Sequence, residues 1–81
     1  MSDAIRPAVE RVLHELRPEA DLETLPAGAD LREELDLDSM DFLNFVIGVH
    51  EATGVDIPEA DYARVSTLET CLEYLEQHAG A

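Results

Sequence analysis

The sequence predicts an all-α fold: a small bundle of three principal helices and one short helix, with a long loop between the first and second helices. Three observations carry this. Apolar residues recur at helical spacing in three separate stretches, proline and glycine breakers divide those stretches, and no segment alternates with period two for long enough to make a strand. At 81 residues the chain is enough for one domain, 1–81, and too short for two.

The first helix is capped by Ser2 or Asp3, and Pro7 falls in its first turn, where a missing N–H is least costly. Ile5, Val9, Val12 and Leu16, with Ala8 and Leu13 beside them, form its apolar stripe. Pro18 stops the helix, because the residue before a proline disfavours helical backbone. Residues 18–38 form a connection broken by Pro18, Pro26 and Gly28 and punctuated by Leu22, Leu25, Leu31, Leu35 and Leu37. A structureless loop of that length is unusual in a small domain. The leucines are therefore expected to pin it over the core, with one helical turn around 30–34.

A second helix is expected over 39–53, closed by Gly54 as a left-handed cap. Residues 55–58 read as extended, and Pro58 opens a short helix through 64. The last helix is expected to start at Ser66, which with Glu69 makes a Ser-x-x-Glu capping box, and to bury Leu68, Cys71, Leu72, Leu75 and Ala79.

Charge and size narrow the function. Nineteen acidic residues oppose five basic ones, all arginine, for a formal net charge of −14. Such a chain repels nucleic-acid phosphates and anionic lipid, and attracts proteins with basic docking patches. A domain this small buries only about 60% of its unfolded surface, which favours a carrier or binding module over an enzyme with a deep pocket. Cys71 is the only cysteine, so an internal disulfide and a cysteine metal cluster are excluded. Its place among Leu68, Leu72 and Leu75 reads as a buried, inert thiol. No signal-peptide pattern or bilayer-length apolar run is present, so a cytoplasmic monomer without membrane insertion is expected. His14, His50 and His78 lie on separate helices and read as solvated. Asp36, Asp38 and Asp41 fail as a calcium loop, because the third ligand position is Met40 and no glycine follows.

The second helix carries two apolar faces. At about 100° per residue, Phe42, Phe45, Val46, Val49 and Thr53 share one side, expected to be the core. Met40, Leu43 and Ile47 fall more than a quarter-turn away. With Asp38, Asp41 and Glu51 around them, they read as a partner-docking surface rather than as a face covered by the loop.

Ser39 opens this helix. From spacing alone, Ser39 or Asp38 as a helix N-cap is the stronger reading, and no nearby histidine argues for a nucleophilic triad. The segment Leu35-Asp36-Leu37-Asp38-Ser39-Met40-Asp41, however, resembles the Leu-Gly-x-Asp-Ser-Leu-Asp segment of acyl carrier proteins. Val55-Asp56-Ile57-Pro58 after Gly54 is similar to that family's Gly-x-x-Ile-Pro, and Ser66-Thr67-Leu68 with Leu72-Glu73-Tyr74-Leu75 to its last helix. The likeness runs over roughly residues 4 to 78.

The resemblance implies a four-helix carrier fold, and 4′-phosphopantetheine esterified to Ser39 by a phosphopantetheinyl transferase. It also implies no catalytic residues or metal of the chain's own. A freestanding carrier would then pass thioester-bound acyl groups between acyl-loading and acyl-using enzymes of fatty acid, lipid or polyketide biosynthesis. Phe42, Phe45, Val46 and Leu72 are candidates to shelter the acyl chain, with a solid core as the competing reading. Asp36 stands where the family has glycine, Met40 where it more often has leucine, and Phe42 where it has a smaller residue. Asn44 and His50 stand where it often has acidic ones. These departures point to a specialised pathway. A peptidyl or aryl carrier is the alternative within the class, disfavoured by Asp38 before the serine. An acidic interaction domain with Ser39 as a mere cap is the alternative outside it, and a hydrolase is a distant third.

Overall fold

A computed structural model describes residues 4–79, with the side chain of Ala79 excepted. Four α-helices follow in order: α1 (Ile5–Leu16), α2 (Leu31–Glu34), α3 (Ser39–Thr53) and α4 (Leu68–Ala79), with a 3₁₀ helix (Glu59–Val65) between the last two. The expected caps at Ser2 and Asp3 lie outside the described residues. Among those described, Ala4 precedes α1 without a side-chain cap.

α1 ends where expected. Arg17, ahead of Pro18, leaves helical geometry at φ −139° and ψ 78°. α1 then packs along α3, with Val9, Val12 and Leu13 meeting Phe45, Val46 and Val49 in one buried core. The two helices approach closely at Gly48, where an added Cβ would come within 2.8 Å of the Val12 Cγ1. Gly54 ends α3 in the left-handed region at φ 76°, its N–H bonded to the His50 carbonyl.

The long loop is pinned, as its leucines suggest. Leu31, Leu35 and Leu37 are buried, and Leu22 and Leu25 pack partly against the core. Asp30 caps α2 by accepting from the Arg32 N–H at 2.9 Å. Backbone bonds tie the loop to the start of α4: Leu31 N–H donates to the Ser66 carbonyl at 2.7 Å and Glu69 N–H to the Ala27 carbonyl at 2.8 Å.

Those bonds correct two expectations. The Ser66–Glu69 capping box does not form, because the Glu69 N–H it needs is already held by the loop. Ser66 Oγ instead donates to the Ala63 carbonyl, and the Thr67 hydroxyl accepts from the Thr70 N–H at 3.1 Å, so α4 begins at Leu68. Leu72 is only half-buried, and Tyr74 takes the core position in its stead. Its ring is covered, while its hydroxyl donates to Asp61 Oδ2 at 2.7 Å on the 3₁₀ helix. An aromatic body with a polar tip suits the rim of a thin core.

Candidate functional site

The start of α3 decides what Ser39 is free to do. Asp38 is the N-cap: its backbone is extended, and its Oδ1 accepts from the Asp41 N–H at 2.8 Å. Ser39 is therefore the first residue inside the helix, relieved of the capping role that spacing alone favours. It is exposed, and its hydroxyl makes no hydrogen bond among the described residues.

The turn before Ser39 is held from a distance. Asp36 sits in the left-handed region at φ 54°, a conformation that aspartate tolerates better than most side chains. Arg17, at the end of α1, donates to the Leu35 carbonyl at 3.0 Å, and to the carbonyls of Leu16 and Asp36 at 2.9 Å each. The same guanidinium meets Asp41 Oδ2 at 2.9 Å. One planar cation thus joins the end of α1, the turn ahead of Ser39 and the first turn of α3. Sequence reasoning missed this residue. The available signal was an arginine at a helix end, directly before a proline.

Ser39 opens onto a groove of about 570 Å³, bordered also by Phe42 and Leu43 of α3, Tyr62 and Ala63 of the 3₁₀ helix, and Arg32. Tyr62 meets the Phe42 ring edge-on, centroids 6.1 Å apart. Of the four residues expected to shelter a chain, Phe42 borders this groove. Phe45 and Val46 are packed in the core, and Leu72 lies half-buried against it.

Beside the groove, Met40, Leu43 and Ile47 are 65%, 37% and 45% exposed, the large apolar side chains left outside the core among the described residues. Asp38 and Glu51 are exposed near the two ends of this stripe, whereas Asp41 is half-buried against Arg17. His50 is not simply solvated, since its Nδ1 lies 2.8 Å from the Val55 carbonyl and fastens the segment after Gly54. Among the described residues no group of three or more His, Cys, Asp or Glu is placed to hold a metal, and no helix is long and apolar enough to cross a membrane. Cys71 is fully buried, and burial pushes its thiol up to about 12.

The comparison with known families bears on nearly the whole chain rather than on one residue. The phosphopantetheine attachment site family matches residues 3–75. The chain belongs to that family. Proteins named acyl carrier protein are among its relatives. One from Rubrobacter xylanophilus is 32% identical over 53 residues, 65% of each chain and so just under two thirds of that relative's length. One from Lactobacillus acidophilus is 24% identical over 62 residues, 76% of this chain and 78% of the relative. The site fits the group: the hydroxyl that would become the ester oxygen is unengaged, and the groove leaves room beside it for the arm.

Proposed function

We propose that this phosphopantetheine attachment domain is an acyl carrier, bearing its arm on Ser39 and delivering thioester-bound acyl groups to enzymes of fatty acid, lipid or polyketide synthesis in a specialised pathway. The observation that carries the reading is the division of labour at the start of α3. Asp38 caps the helix, so Ser39 has no structural duty and is open to a modifying enzyme. The arm supplies a thiol, whose thioester activates the acyl carbonyl; the chain itself supplies attachment, presentation and docking.

The stripe of Met40, Leu43 and Ile47 is read as the face that partners cover, the transferase among them. Exposed apolar contacts framed by acidic residues suit enzymes with an apolar patch in a basic surround. Asn44 and His50 lie along the same helix, and with Met40 they set which enzymes dock. Replacing Met40 and Ile47 with alanine is expected to slow modification by the transferase at least tenfold while leaving the urea midpoint nearly unchanged. Lost stability with unchanged modification would reject the docking reading.

The attachment itself is tested by mass spectrometry. Incubation with coenzyme A and a broad-specificity transferase is expected to add one phosphopantetheine to the wild type and none to Ser39→Ala.

A further inference from the structure

The arginines divide by what they touch. Arg6 pairs with Glu10 within α1 at 3.1 Å, and Arg17 forms the clasp before Ser39. Arg64 donates to Gln77 and lies over the Tyr74 ring. Arg11 borders a shallow hollow with Glu15 and Glu51. The Arg32 guanidinium, like that of Arg11, makes no hydrogen bond or ion pair among the described residues, but it alone of those two lies over an aromatic ring, 5.5 Å from the Phe42 centroid, on the groove that Ser39 borders.

In a chain of formal net charge −14, a cation held over an aromatic ring rather than on a carboxylate has its in-plane N–H donors unspent. Asp30, two residues before Arg32, is occupied in capping α2, and neither Glu33 nor Glu34 beside it forms an ion pair with the guanidinium. Glu59 also borders the groove but makes no ion pair with Arg32. The backbone of Arg32 is fixed, because its carbonyl accepts from the Leu37 N–H at 2.9 Å, two residues before Ser39. Phe42 lies three residues after Ser39, on the same side of α3, and all three residues border one groove. The guanidinium and the Ser39 hydroxyl therefore flank Phe42 on the same groove.

We propose that Arg32 clamps the phosphodiester of the modified protein, donating two parallel N–H bonds to its non-bridging oxygens. Planar bidentate recognition of phosphate is what an arginine fork does best. The clamp turns the root of the arm toward the Phe42 and Tyr62 side of the groove and leaves Met40 and Ile47 clear for partners. This rests on Ser39 being the attachment residue.

The test follows the arginine side-chain Nε–Hε resonances of the wild type, and the phosphorus resonance of the arm, by NMR before and after modification. Conversion is expected to shift the Arg32 signal well beyond those of the other arginines. In modified Arg32→Gln the phosphorus resonance should move to that of the same phosphodiester in urea-unfolded modified protein, and Arg32→Lys should recover only part of the difference. Added salt should diminish the Arg32 shift. A modified wild type whose Arg32 signal does not move, with the same phosphorus resonance in Arg32→Gln, overturns the clamp and leaves the carrier reading intact. No mass gain in the wild type, or a gain that survives in Ser39→Ala, overturns both.

Discussion

Replacing Arg17 with methionine probes how the turn ahead of Ser39 is held. Methionine keeps most of the aliphatic stem and removes the guanidinium, with its bonds to three carbonyls and Asp41. Those four bonds are not equal. The one to Asp36 lies at an exposed site where water replaces it, and the one to Leu16 is local to the helix end. The bonds to Leu35 and Asp41 are partly buried and span 18 and 24 residues, so they carry most of the effect. A charged hydrogen bond contributes about 1.5–3 kcal/mol when well shielded. Both side chains of the ion pair are 28% exposed, and solvent screening brings each bond down to about 1–1.5 kcal/mol. The expected loss is therefore about 2–3 kcal/mol, or a fall in Tm of about 10–20 °C for a domain of this size. Urea unfolding followed by far-ultraviolet circular dichroism measures it, and transferase rates on the folded fraction should fall as well. Arg17→Lys should recover less than half, since an ammonium group cannot reproduce the planar fork. A loss below about 0.5 kcal/mol for Arg17→Met would refute the reasoning, because it is what an ordinary exposed arginine yields.

The remaining predictions concern the turn and the core. Asp36→Gly keeps the carbonyl that Arg17 holds and removes a side chain from left-handed backbone, so the urea midpoint should rise by the equivalent of about 0.5–1 kcal/mol; a lower midpoint would contradict this. Burial raises the Cys71 thiol from 9.0 to about 12, and burial with the Asp61 hydrogen bond also raises Tyr74 above its usual 10.0. The folded state thus holds both protons more tightly, so their contributions are complete below pH 9 and lost as pH rises through the folded values. Stability should be flat over pH 7–8.5 and fall from about pH 9 to 12, with a shallower fall in Cys71→Ala. At pH 8 a thiol reagent should modify the unfolded protein and spare the native one.

The parts of the fold legible in the sequence are those set by local pattern. The two faces of α3 follow from helical periodicity, and burial divides them as that periodicity implies: Phe42, Phe45, Val46 and Val49 inside, Met40, Leu43 and Ile47 outside. Gly54 and the turn at Asp30 were legible because backbone sterics and capping act over a few residues. The start of α4 was not, because the Glu69 N–H bonds the carbonyl of Ala27, forty-two residues earlier, and a capping motif carries no sign of such competition. Tyr74 lies outside the predicted stripe of α4 and is buried because Asp61, on a different element, satisfies its hydroxyl at the rim. At the site, the pattern pointed to Ser39 but left the cap undecided between it and Asp38. Only the hydrogen bond from the Asp41 N–H to Asp38 separates the two. Arg17 was invisible for the same reason as the α4 contact: what it holds lies mostly 18 to 24 residues away.

The central claim is that Ser39 is a passive anchor, structurally idle and chemically available. Intact-protein mass spectrometry after incubation with coenzyme A and a broad-specificity transferase tests it most directly, with circular dichroism on the same samples. The account predicts a single phosphopantetheine on the wild type, none on Ser39→Ala, and unfolding curves for the two that coincide within about 0.5 kcal/mol. An unmodified wild type under conditions that convert a control carrier, or a Ser39→Ala protein that is still modified, would contradict it.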